Sequence, residues 1–236
     1  MYLMTVDDAA YFAGVKSIVY GESGAGKTML CSTMPAPILI NAEGGVLSLT
    51  KSNILRVHPE GSWGVSYDIP VLTISSFAEI DDVLRWLQSS QEATQYASVY
   101  IDSLSELGEI VLAEAKKKNR DLRMAYSDTM VRVEKMVRDF RDLRGKHVTM
   151  ACKITADDNL KCFPALPGTK LSKRLPYFFD EVFYIGIGES GGQQFRYLRT
   201  KDDGKHVAKD RSGALAEIEP AHMGHVIAKI WPQYSA

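Results

Sequence analysis

The sequence predicts an α/β protein: a mostly parallel sheet flanked by helices, with an antiparallel extension on its C-terminal side. Three observations carry this. Short apolar, β-branched runs alternate with stretches of helical periodicity. A glycine-rich turn separates the first such run from a helical stretch. Two late apolar runs flank a Gly191-Gly192 pair, the pattern of a hairpin. In chain order, residues 15–20 predict a β-branched strand, and residues 27–34 a helix that stops before Pro35 and Pro37. Residues 37–41 read as a buried strand, 54–57 and 71–74 as short strands, and 77–87 as a helix. Residues 97–102 form another buried strand, followed by a helix over 104–117. The clearest amphipathic helix covers 127–144, where Met130, Val133, Val137, Phe140 and Leu143 share one stripe. A strand is expected over 147–152 and a polar, proline-bearing loop over 155–175. A strand pair over 181–187 and 195–200, the start of a strand over 207–209 and a helix over 221–230 complete the reading.

Composition narrows the function classes. The chain has 236 residues, 45% of them hydrophobic, with 28 Lys and Arg against 29 Asp and Glu, which excludes wholesale disorder and fibrous chains. No apolar run approaches the ~18 residues that span a bilayer, so no membrane role is expected. Residues 1–8 lack a basic n-region, which predicts no secretory leader. Cys31, Cys152 and Cys162 are odd in number and lack CxxC spacing, so they read as reduced thiols and point to the cytoplasm. The net charge of −1 hides an asymmetry: residues 116–174 hold 16 Lys and Arg against 7 Asp and Glu, and the rest hold 12 against 22. A positive segment on an acidic chain fits a local anionic partner, or else a solvated helix and loop.

The chemistry begins at residues 21–28, GESGAGKT, which match GxxxxGK[ST]. Glycines let the backbone turn tightly, so that successive N–H groups of Gly21, Glu22, Ser23, Gly24, Ala25 and Gly26 form an anion-binding nest. Lys27 then reaches the β- and γ-phosphates, Thr28 holds Mg²⁺, and Met29 closes the nucleotide contacts. ATP and Mg²⁺ are the expected cofactors. Asp102 ends an apolar strand, where a carboxylate points into the ligand crevice of an α/β sheet and can serve the Mg²⁺; it also suits an ordinary helix N-cap. Glu43 follows the second apolar strand and can orient or deprotonate the attacking water, or form the turn before Gly44-Gly45.

With the loop at 21–28, Glu43 in Asn41-Ala42-Glu43 and the Asp102-Ser103 ending, the chain resembles the RecA-like branch of P-loop ATPases. It is most similar to short phage-encoded RecA-core proteins, some of which act in single-strand annealing and recombination. That similarity extends to residues 164–168, 175–182 and 209–213. The resemblance implies a RecA-like core over 15–236, with residues 1–14 as a separate segment available for a subunit contact. It implies ATP hydrolysis at interfaces of a ring or filament. Lys209 and Arg211, two apart and so on one face of a strand, would reach a neighbour's nucleotide; Asp210 could instead neutralise them in a surface turn. Lys153 stands where relatives carry a polar γ-phosphate sensor, although a Lys departs from their usual amide.

RecA-like proteins bind DNA through two loops, which here fall at 116–126 and 155–175. The first offers Lys116, Lys117, Lys118, Arg120 and Arg123; the second offers Lys161, Lys170, Lys173 and Arg174, with Phe163 to stack on a base or anchor the loop. Within 127–144 the pairs Asp128/Arg132, Glu134/Arg138, Lys135/Asp139 and Arg138/Asp142 are spaced to neutralise one another. The implied partners are single-stranded DNA, further copies of the chain and a single-strand-binding protein, in the host cytoplasm if the chain is phage-encoded. A helicase accessory or packaging motor would share the nucleotide site without annealing, and a small-molecule kinase lacks support in an arginine-rich lid. His222 and His225 have HxxH spacing but read as a surface helix, and Tyr11-Phe12-Ala13 as an intramolecular apolar contact or a filament contact.

Overall fold

Apolar runs too short to be helices have only one way to hide both faces, which is to lie side by side in the middle of a sheet. β1 (Lys16–Tyr20), β2 (Pro37–Asn41), β4 (Ser98–Asp102) and β5 (His147–Cys152) do so, buried along their whole length. The computed structural model describes residues 3–232; residues 1–2 of the expected N-terminal segment and 233–236 of the expected core lie outside the described residues. β3 (Val71–Thr73) joins β2 in parallel, and β8 (Glu181–Ser190) joins β1 in parallel. β9 (Gln193–Arg199), β10 (Lys209–Asp210) and β11 (Ile218–Pro220) then add antiparallel. The order across the sheet is β11-β9-β8-β1-β5-β4-β2-β3, with β10 branching onto β8. This is the layout expected from the sequence: a mostly parallel sheet flanked by helices, with a C-terminal antiparallel extension.

Alternation along each strand sends side chains to two separate cores. Ile18, Val99, Ile101 and Met150 face α3 (Phe77–Ser89), α4 (Leu104–Lys118) and α5 (Leu122–Arg141). Val19, Leu39 and Tyr100 face Leu30, Ile54 of α2 (Lys51–Val57) and α7 (Met223–Ile230). Each fully buried Leu or Ile contributes about 1.5–3 kcal/mol, so both layers are firmly held. α1 (Val6–Ala13) buries no residue fully and touches the body through Tyr11, whose ring meets Trp231 edge-on at 6.3 Å.

Four expectations need correction. Residues 54–57 are helix, not strand: Ile54 alone is buried, and a four-residue apolar run does not distinguish the two. The stretch after the glycine loop is a 3₁₀ helix, Thr28–Thr33, whose Ser32 and Thr33 hydroxyls bond back to the carbonyls of Met29 and Leu30. The segment 116–126 is a helical hairpin rather than a loop, because Asp121 caps Arg123 and starts α5 before residue 127. The segment 155–175 is also ordered: β6 (Ile154–Ala156) and β7 (Cys162–Pro164) pair antiparallel, and α6 (Thr169–Arg174) follows. Among the described residues no helix is long and apolar enough to cross a membrane.

Candidate active site

Parallel register brings the expected groups to one edge. Tyr20 stands opposite Cys152 and Asn41 opposite Asp102, so residues 21–28, Glu43, Asp102 and Lys153 all emerge at the C-terminal ends of neighbouring strands. Ser23, Gly24, Gly26, Lys27, Thr28, Met29, Glu43 and Asp102 line one cleft of about 380 Å³. Two glycines are required by geometry. A Cβ on Gly21 would sit 2.6 Å from the Ile185 carbonyl oxygen, and Gly26 has φ +103°, a conformation side chains disfavour.

Lys27 donates to the carbonyls of Gly21 and Glu22, both at 2.8 Å, and Tyr100 Oη donates to the Lys27 carbonyl. Burial lowers the Lys27 pKa, opposed by the charge of Asp102. The Thr28 hydroxyl donates to Asp102 Oδ2 at 2.5 Å. Burial raises the Asp102 pKa, the Thr28 hydrogen bond opposes this, and the Glu43 charge adds to it. A hydroxyl and a carboxylate are hard oxygen donors, a set suited to Mg²⁺, which is held by one or two carboxylates plus substrate phosphates. Glu43 is held at the turn by its N–H to the Asp102 carbonyl, and its carboxylate meets Lys153 Nζ at 3.4 Å. Lys153 also reaches Glu106 at 3.2 Å. Burial lowers its pKa, but the Glu106 hydrogen bond and the Glu43 charge outweigh that and raise it. The structure therefore links the expected sensor position to the expected water-orienting carboxylate.

A match to a family model described as AAA domain covers residues 13–212. The chain belongs to the AAA domain family. That family, with this cleft, makes it a P-loop ATPase. No curated protein matches the chain. Among solved structures, it is similar to a KaiC-like protein of the hyperthermophilic archaeon Pyrococcus horikoshii OT3, at 13% identity and a TM-score of 0.40, covering 78% of this chain and 77% of that one.

The remaining expected residues lie elsewhere on this AAA domain. Lys209 and Arg211 sit at the opposite end of the sheet, where Lys209 pairs with Val182. Lys209 Nζ donates to the carbonyls of Pro176 and Phe179, and Arg211 is exposed and pairs with Asp180 at 2.5 Å. The expected nucleic-acid cations divide into two groups. Lys161, Lys173 and Arg174 are ion-paired to Asp202, Asp157 and Glu134 at 3.0, 3.0 and 2.8 Å. Among the described residues Lys116, Lys117, Lys118, Arg120, Arg123 and Lys170 have no ion pair. Three of the four expected helix pairs form; Asp142 pairs with Arg141 instead. The two segments meet in a groove of about 310 Å³ between Tyr126 and Phe163, and Lys116 and Lys173 lie over these rings at 5.9 and 5.5 Å.

Two groups escaped the sequence. Tyr126 lay in an assumed loop. Arg196 also lines the nucleotide cleft; its signal is strand alternation, which puts it on the same face as buried Leu198. His222 and His225 stack on each other at 4.2 Å, Glu219 is taken by Lys229 at 2.7 Å, and among the described residues no group of three or more His, Cys, Asp or Glu could hold a metal ion.

Proposed function

We propose that this ATPase hydrolyses ATP with Mg²⁺, binds single-stranded DNA and promotes annealing during homologous recombination, with one ATPase core over 15–236 and residues 1–14 as a subunit contact. The observation that carries the ATP reading is the meeting of Lys27, Thr28, Glu43, Asp102 and Lys153 at one edge of the sheet. The backbone N–H groups of residues 21–26 cradle the phosphates, and Lys27 leaves its carbonyls to reach them. Thr28 and Asp102 would hold Mg²⁺, which would supply neutralisation of the negative charge on the phosphates. Glu43 orients the attacking water and accepts its proton; Lys153 positions that carboxylate and senses the γ-phosphate. Arg211 and Lys209 approach the nucleotide of an adjacent copy in a ring or filament, Arg211 being the more exposed of the two.

The DNA reading is supported by the groove between Tyr126 and Phe163, where two rings are accompanied by two lysines. Rings of this kind stack bases and lysines neutralise phosphates. Among the described residues Lys116, Lys117, Lys118, Arg120, Arg123 and Lys170 have no ion pair, and five of these six lie on the hairpin, so the hairpin should dominate salt-sensitive binding. A single-strand-binding protein remains a proposed partner.

The test is phosphate release over a protein titration, with and without single-stranded DNA, alongside annealing of complementary strands. ATP-dependent annealing with release that rises with protein concentration supports the reading. Release without annealing assigns a replication accessory or packaging motor, and a phosphorylated small molecule in place of free phosphate assigns a kinase. Replacing Lys116, Lys117 and Lys118 with Ala should weaken DNA binding about tenfold and flatten its salt dependence. An unchanged salt slope removes the run from the interface.

A further inference from the structure

The hairpin of β8 and β9 overhangs the phosphate loop. β8 pairs with β1 only as far as Tyr184, opposite Tyr20, and then runs on to Ser190 while the chain leaving β1 turns into the glycine loop. Arg196 stands opposite Ile187, three residues past that last pair, or about 10 Å further along the strand. Its face is that of Ile185, whose carbonyl abuts Gly21. From there the side chain crosses the loop. Its Cδ lies 2.7 Å from where a Gly26 Cβ would be, and its Nε donates to the Ala25 carbonyl at 3.1 Å.

We propose that Arg196 is a nucleotide-binding residue whose guanidinium clamps the phosphate tail of a nucleoside triphosphate bound by its own chain; this rests on reading the cleft as the ATP site. A guanidinium carries five N–H donors in a rigid fork. One is spent on Ala25, and among the described residues the other four have no hydrogen bond or ion pair. Lys27 is held in the same way, on loop carbonyls rather than on a carboxylate. These two are the cleft's cations without an ion pair among the described residues, since Lys153 is engaged by Glu43 and Glu106. Neutral carbonyls are the weaker acceptors for a cation: a phosphate oxygen brings a formal negative charge, and a fork matches two such oxygens at once. Arrival of a triphosphate therefore draws Arg196 from Ala25 onto the phosphates, as it draws Lys27.

The test is calorimetric titration of the full chain with MgATP, comparing wild type with Lys27→Ala, Arg196→Ala, Arg196→Gln and Arg196→Lys, each checked for an unchanged melting temperature. Arg196→Ala and Arg196→Gln are expected to weaken ATP about tenfold or more, and Arg196→Lys by less, since it keeps the charge and loses the fork. Glutamine can still donate to the Ala25 carbonyl. Wild-type affinity in Arg196→Gln would reduce the arginine to a staple on the loop and overturn the proposal. So would wild-type affinity in Arg196→Ala when Lys27→Ala has lost binding. A wild-type chain that takes up no ATP overturns the site reading, and this inference with it.

Discussion

At the C-terminal ends of the parallel strands, Lys27, Thr28, Glu43, Asp102 and Lys153 gather around an open cleft. At the N-terminal ends three lysines are held on backbone carbonyls. Lys16 donates to the carbonyls of Leu143 and Lys146, Lys146 to those of Ala93 and Tyr96, and Lys209 to those of Pro176 and Phe179. Helix direction explains the difference. In a parallel sheet with crossover helices, helices start above the strands' C-terminal ends and finish below their N-terminal ends. The upper edge has surplus N–H groups and attracts anions; the lower edge has surplus carbonyls and attracts cations. Within one chain the lower-edge lysines Lys16 and Lys146 are thus structural clasps, and Lys27 at the upper edge is the one placed for phosphate. Residue type does not separate Lys27 from Lys16; sheet polarity does.

Substitutions at each end should separate the two uses, beginning with the greatest loss. Lys27→Ala should abolish phosphate release while the chain stays folded, and measurable turnover would erase the functional contrast between the ends. Glu43→Gln should retain ATP binding and slow single-turnover cleavage by about 10²–10³-fold. An unaltered rate would move the water-orienting role to another group. Arg211→Ala should lower turnover about 10²-fold at protein concentrations that assemble, with no change in dilute protein. An equal loss at every concentration would contradict action on a neighbour's nucleotide.

The smallest effect concerns stability at the lower edge. Burial, helped by the nearby charge of Asp210, pushes the Glu181 pKa up to about 8. The folded chain then holds a proton that the unfolded chain releases near the ordinary glutamate value, so stability falls as pH rises from that value to about 8. Glu181→Gln should remove this decline in melting curves taken across the window. A decline that persists in the variant would assign it to other groups.

The glycine loop could be read directly because its chemistry is local: the turn, the lysine and the threonine are consecutive residues. Glu43 and Asp102 were legible because each closes an apolar strand, and parallel strands end together. Three kinds of error share one cause. Residues 54–57 and 122–126 were misread where a short apolar or charged stretch carries no period of its own. The pairing of Lys161, Lys173 and Arg174 with Asp202, Asp157 and Glu134 joins residues 16 to 41 positions apart and has no signature in spacing. Arg196 is 171 residues from its partner Ala25.

Hydrophobic periodicity and one glycine motif were thus enough to predict a mostly parallel sheet and the edge at which its cleft opens, because strand–helix alternation and a strand–loop–helix motif are legible in residues close together in the chain. Which cations stay free, which are clasped by carbonyls and which strand overhangs the loop emerged on folding. Those outcomes depend on strand register and on the direction in which each helix arrives, and both are set by packing between segments distant in sequence.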